Sequence, residues 1–360
     1  MIRFVLLPAL ALATHMPTWF LEKLKAADRS DSYDTCNSAE CGAPPHKFSK
    51  VLPLQPGVQW MQHGGYCGAW SVQRAVMAKG AYISQQQVRD HAQYGGGHDE
   101  EILDTNIDGA LKKLKIKGVG FQYNVLPTPQ SEEYLHFIKK SLLAGNPVIW
   151  MVMFGGDSYP DAGYEYDNKT NGIYGHIEPL VGIYSNHPLS DDSVYDDDVF
   201  AYFDDASKTT HYVSPKKVPG DCTFGSQAHC RAHCPTGLFG QCVWRQRGYM
   251  WSIEDLLDQH ESAQLALSIS PWASEPYTRG GAKPIEITGT VTAAGLVIGS
   301  KYDIYRWDSA EDAFTYNKTS IIHSFTATNE TYVLKDPKTF LSSSATYYRC
   351  VLADNARLVV

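Results

Sequence analysis

The sequence predicts an α+β domain over residues 51–270 followed by a small all-β sandwich over 285–360, and three observations carry that prediction. Helical periodicity dominates up to Asn146. Continuous apolar or β-branched runs take over after Pro147. Beyond Pro271 to Pro284, a linker-like stretch with Gly280-Gly281 and three prolines, short alternating segments rich in β-branched and aromatic residues replace everything helical.

Each element has a local reason. Ala69, Val72, Val76 and Lys79 fall on one stripe beside Ala75, and Gly80 stands where a C-terminal cap belongs, so an amphipathic helix runs from Cys67 to about Lys79. Ser84 with Gln87 makes a capping box for a helix reaching about Tyr94. Ile102, Leu103, Ile107, Ala110, Leu111 and Leu114 mark the next helix, and the basic run Lys112 to Lys117 reads as its solvated end. Ser131 opens another helix that stops at Gly145-Asn146.

Val148 to Phe154 is apolar throughout and is expected as a buried strand; Ile177 to Tyr184 and Val199 to Phe203 are the next two. Turn-rich insertions, 155–175 and 185–198, separate them and are expected to carry substrate specificity. The second holds Asp191-Asp192 and Asp196-Asp197-Asp198. Their order does not match an EF-hand loop, so this acidic segment reads as solvated rather than calcium-binding. Ser252 is placed to cap a helix from Ile253 to His260, before a strand from Ala263 to Ile269. In the C-terminal part, strands are expected at Ile285 to Ile287, Thr290 to Thr292, Tyr302 to Trp307, Ile321 to Phe325, Tyr332 to Leu334 and Thr346 to Val351. No titratable triad is visible there, which points to a binding or packing module.

Composition sets the class. The 360 residues are 43% apolar with 12% aromatics, enough for packed cores. A net charge of −8 without an extended basic cluster argues against nucleic acid as a partner. Met1-Ile2-Arg3, the apolar stretch Phe4 to Ala13 and the small-x-small Ala11-Leu12-Ala13 describe an export signal over residues 1–13, followed by an N-terminal extension over 14–50. That apolar stretch is too short to span a bilayer, which needs about 20 residues, so no membrane span is expected.

The cysteines agree with an oxidising compartment. Cys36 with Cys41, and two bridges among Cys222, Cys230, Cys234 and Cys242, are the economical pairing. His229 and His233 give that cluster zinc-like spacing, but an exported chain meets oxidant before free zinc. If Cys67 is kept for chemistry, one more cysteine is left over: Cys350 is the first candidate, and the alternative is that Cys350 takes a partner from elsewhere. Sequons at Asn168, Asn317 and Asn329 fit the same compartment, lumenal or secreted.

Cys67 carries the functional reading. It stands where the glycine-loosened Gly64-Gly65 loop enters a helix, and the positive end of a helix stabilises the thiolate, the reactive form of cysteine. A nucleophilic cysteine needs a base and an oxyanion donor. His176, in Gly175-His176 at the entrance of a strand, is the candidate base. Phe203-Asp204-Asp205 at the end of the next strand supplies two carboxylates, of which alternation points only one toward the imidazole. Gln62, ahead of Cys67, is a candidate oxyanion donor, with Gln59 and His63 as alternatives.

This arrangement resembles the papain-like cysteine peptidase superfamily, most closely its C39-like branch. The likeness is carried by Gln62 ahead of Cys67-Gly68, by the turn from Ala144-Gly145-Asn146 into a strand, by Gly175-His176 before Leu180 to Tyr184, and by Asp205-Ala206, in the order Cys, His, Asp. It covers about residues 50–270. The resemblance implies a papain-like fold, a helical half beside an antiparallel sheet. It also implies Cys67 as nucleophile, His176 as base and then acid, Asp205 (with Asp204 as the alternative) as orienter of the imidazole, and Gln62 as oxyanion donor. The implied activity is that of a secreted cysteine peptidase or related amide hydrolase working through a thioester, without cofactor or metal, on a peptide or protein substrate. A transamidase is one alternative. The other is an inactive papain-fold protein that binds peptide or glycan, and the C-terminal module is a further candidate to hold a glycan or protein ligand.

Overall fold

The structure is a computed structural model describing residues 35–37, 42–57, 66–92, 107–121, 131–154, 174–204, 209–213, 215, 242–243, 250–270, 288–337 and 345–353; at 35–37, 131, 152–154, 174–176, 242–243, 269–270 and 288 it describes the backbone alone. The export signal, the bridges expected at Cys36 to Cys41 and within 222–242, the insertion from 155, the Asn168 sequon, the linker and the strand at 285–287 lie outside the described side chains.

The N-terminal half contributes β1 (Thr35–Asn37), β2 (Phe48–Val51), α1 (Cys67–Met77), β3 (Ala81–Ile83), α2 (Gln85–Ala92), α3 (Ile107–Lys113), β4 (Ile116–Phe121) and α4 (Ser131–Leu143). Then come β5 (Val148–Phe154), β6 (Tyr174–Ser185), β7 (Val199–Phe203), β8 (Thr210–Val213), β9 (Cys242–Val243), β10 (Met250–Leu256) and β11 (Gln264–Ser270). The rest is strand: β12 (Thr288–Ala294), β13 (Lys301–Trp307), β14 (Ile321–Thr326), β15 (Thr331–Asp336) and β16 (Ala345–Leu352). Helices and antiparallel sheets are mixed, with strands in the majority.

A nine-stranded sheet runs β1-β8-β7-β6-β5-β10-β4, with β2 beside β6 and β9 beside β5. Strand alternation explains why β5 is apolar at every position. Ile149 and Met151 join a core with α1, α2 and α3 on one face, while Val148 and Trp150 join Tyr134, Ile138 and Leu142 of α4 on the other. The long β6 pairs with β5 over Tyr174 to Leu180, then shifts register and is shared between β7 and β2. Gly182 permits this, since a Cβ there would meet the Lys50 carbonyl at 3.1 Å.

Expected elements that held their bounds did so for local reasons. The Gln87 amide donates to Ser84 Oγ at 3.1 Å, closing the start of α2. Gly80 at φ +78 and Gly145 at φ +83 turn the chain out of α1 and α4.

Three expectations about these elements are corrected. The helix from Ile253 to His260 is instead the strand β10, paired with both β5 and β4; Met250, Trp251, Ser252 and Ile253 are all buried, and two long-range ladders outweigh a local capping pattern. The basic run ending at Lys117 is only in part a helix end, because Lys115 turns at φ 57 and β4 begins at Ile116. The helix α1 is not amphipathic: Ser71, Gln73 and Arg74 are buried along with its apolar stripe, because β5, β6, α2 and the C-terminal strands surround it.

Strand pairing also crosses residue 270. Strand β11 pairs with β12 in the sheet β11-β12-β15, and β3, directly after α1, is the edge strand of β14-β13-β16-β3. These two sheets enclose a core of Leu265, Leu267, Val291, Ala293, Tyr302, Ile304, Tyr348 and Cys350 to which Met77 and Tyr82 also belong. The outer face of this sandwich packs on the core beneath α1, through Tyr305, Trp307, Tyr347 and Val351.

The acidic insertion is less solvated than expected. Asp198 is fully buried and accepts from Lys139 Nζ of α4 at 2.8 Å; the same ammonium donates to the Ser193 carbonyl at 2.5 Å and lies 4.9 Å from the Tyr195 ring centre. Removing one member of a buried pair strands the other. Lys139→Met is therefore expected to cost about 3–5 kcal/mol, read as a lowered melting temperature and urea midpoint, whereas a change below about 1 kcal/mol contradicts this role.

His211 on β8 is buried beside Tyr202, and burial pushes its pKa down to about 3. Its folded value lies below the unfolded value near 6.5, so the unfolded chain takes up this proton first as the pH falls. The stability it contributes is present above about pH 6.5 and drains away toward pH 3. A His211→Gln variant should show a flatter fall of melting temperature between about pH 6.5 and 4; slopes equal to the wild type contradict it.

Candidate functional site

Cys67 is the first residue of α1, entered from Tyr66 at φ −86, ψ 0. Among the described residues no side chain caps this terminus, and the first turn itself carries no acidic residue, so the helix adds no like charge next to the thiol. Cys67 is partly exposed and packs against the core that holds Ile149, Met151 and Ile177.

Among the described residues the thiols are Cys67 and Cys350, and their settings differ. Cys350 is sealed inside the sandwich, where burial first and the charge of Asp303 second push its pKa up to about 12. A thiol held there is inert at neutral pH. Cys67 is the one solvent can reach.

The strand β6 carries His176 two pairs inside its first residue, opposite Val152 of β5. A side-chain contact docks α1 onto this end of β6: Ser71 Oγ donates to the Ile177 carbonyl at 2.9 Å. Ser71 is one turn after Cys67, about 6 Å along the helix axis. The first turn of α1 and the backbone next to His176 are thus held together.

One of the two expected carboxylates, Asp204, lies at the same end of the sheet. β6 and β7 form an antiparallel hairpin with Leu180 opposite Tyr202, and β7 leads back to Asp204, which is buried. Continuing that register sets Asp204 level with Glu178, two residues along β6 from His176. Asp205, Gln62, Gln59 and His63 lie outside the described residues.

The same hairpin corrects the expectation for the 185–198 insertion. It joins the far ends of β6 and β7, and nine strand steps of about 3.3 Å put it some 30 Å from His176. It does not line the region of Cys67, and its length leaves the approach of Asp204 unaffected.

Sequence reasoning passed over two residues here. Ser71 sits at the edge of the apolar stripe, one turn before Ala75, and a hydroxyl on that inward side was the available signal. Glu178 is fully buried and accepts from the Trp150 indole at 3.2 Å; a carboxylate inside an apolar strand was its signal.

No family model matches the chain, and no curated protein matches it. Among solved structures it is similar to the clostridial cysteine protease Cwp84 after propeptide cleavage, with 11% identity and a TM-score of 0.26, over 90% of this chain and 85% of that chain. At that score the likeness bears no weight on fold or chemistry.

Proposed function

We propose that the protein is an exported cysteine peptidase, or a related amide-acting enzyme, of the papain-like and C39-like kind. The observation that carries this reading is the docking of the nucleophile helix: Cys67 opens α1, and Ser71 one turn later is bonded to the backbone beside His176. In this reading the Cys67 thiolate attacks an amide carbonyl while His176 holds the proton and then delivers it to the departing amine. A thioester remains on Sγ, and water, deprotonated by His176, releases the acid and restores the thiol. The α1 amide at Cys67 and the side chain of Gln62 would receive the oxyanion. Asp205 or Asp204 would orient the imidazole, and the burial of Asp204 at this end of the sheet supports the second.

Substrate would be a peptide or protein, and no cofactor is needed for these steps. The test is cleavage of a denatured protein and of a mixed peptide library by the wild type and by Cys67→Ala, with products identified by mass spectrometry. Cleavage present in the wild type and absent in Cys67→Ala is expected. An added amine appearing in the products would assign transamidation. Wild type and Cys67→Ala giving the same products, or none, overturns the proposal.

A further inference from the structure

Tyr66, the residue just before Cys67, is held in an unusual way. Its ring is buried, and the guanidinium of Arg89 from α2 lies 4.0 Å from the ring centre. Its hydroxyl donates to Gln86 Oε1 of the same helix at 3.4 Å. Arg89 is itself fully buried, beside an α1–α2 contact in which Gln85 and Arg74 both donate to Gln73 Oε1, at 3.3 and 3.0 Å. Burying a guanidinium costs several kcal/mol, offset by the contacts it makes.

Tyr66 supplies one of these contacts. A cation over the face of an aromatic ring is attracted to it, most strongly when desolvated, so Arg89 and Tyr66 fix each other. The ring is then a rigid post from which the chain enters α1, and the positive charge is fixed against the residue that precedes the thiol. Among the described residues, the charged residues and histidines on the elements packed around this helix are Arg89, Asp90 and His91 on α2, Arg74 on α1, His176 and Glu178 on β6, and Glu254 and Asp255 on β10. Asp90 is exposed, and Arg74 belongs to the last turn of α1, away from the thiol. Arg89 is the permanent cation stacked on the residue that leads into Cys67.

We propose that Arg89 is a positioning residue for the Cys67 thiolate, acting through Tyr66 to hold the entrance of α1 and to keep a fixed positive charge beside it. This rests on the reading of Cys67 as a nucleophile. Arg89 touches no reacting atom, so its signature is the ionisation of the thiol rather than the fold.

The experiment is the rate of Cys67 alkylation by iodoacetamide as a function of pH, read by peptide mapping on the full chain, with thermal melts run beside it. The wild type should show a midpoint well below the ordinary thiol value of about 8.5. Arg89→Met should raise that midpoint by about one pH unit, roughly tenfold less thiolate at pH 6, and Arg89→Lys should restore most of it. A folded Arg89→Met protein with the wild-type midpoint overturns the proposal. If Arg89→Met does not fold, Gln86→Glu decides: this half-buried position places a carboxylate by the same guanidinium, the midpoint should rise, and an unchanged midpoint rejects the role. A wild-type midpoint near 8.5 that His176→Ala leaves alone would instead mean that the nucleophile reading itself has failed.

Discussion

A chain ended at Pro284 is expected to lose cooperative folding, although it retains every residue of the proposed catalytic site. The reason lies in what α1 touches at each end. Its first residue is Cys67, and its last, Met77, is buried in the sandwich core with Tyr82, Leu265 and Leu267. Removing β12 to β16 would expose these four side chains. At about 1.5–3 kcal/mol each, the loss is comparable to the roughly 5–15 kcal/mol that holds a folded domain together.

The truncation would also strip β3 of its partner. The register Ala345 to Ile83, Thr346 to Tyr82 and Tyr347 to Ala81 disappears, as does the bond from the Tyr348 amide to the Gly80 carbonyl at 2.9 Å. Asp258 would lose Arg349, which donates to it at 2.9 Å. Far-ultraviolet circular dichroism with a melting scan tests this: no cooperative transition is expected. A truncated protein that melts cooperatively and still presents a reactive Cys67 would show that the sandwich is dispensable.

The second large effect is on chemistry. On any peptide that the wild type cleaves, His176→Ala should lower kcat/KM by about 10²–10⁴, the range that a positioned general base contributes. Asp204→Asn should reproduce a substantial part of that loss while Asp205→Asn does not, since strand alternation would turn only one of the two toward the imidazole and Asp204 is buried at this end of the sheet. Equal losses in the two aspartate variants, or none in either, would reassign the orienting group, and Glu178, buried two residues beyond His176, would be the next to replace.

The sequence was most legible where an element is stabilised by its own residues. The Ser84 cap, the glycine turns at 80 and 145 and the apolar run of β5 each carry a local signal, and each appears where expected. It was least legible where a distant partner decides the outcome. Nothing around Ala81 to Ile83 announces a strand, because the ladder that makes it one is supplied by β16 near the other end of the chain. Ser252 to His260 looks helical until β4 and β5 are brought to either side of it. The site follows the same division. Cys67 and the strand bearing His176 could be read from position and pattern, whereas Ser71 meeting Ile177, and Arg89 meeting Tyr66, depend on packing between elements that no local spacing records.

Whether Cys67 is an activated thiol paired with His176 can be tested without knowledge of a substrate, by alkylation with iodoacetamide at pH 6. Cys350 serves as the internal control, because burial keeps its thiol protonated and shielded. Fast, selective labelling of Cys67 is expected in the wild type, slowed at least tenfold in a folded His176→Ala variant. Labelling of Cys67 that is slow in the wild type, or that proceeds at the same rate without His176, would contradict that pairing.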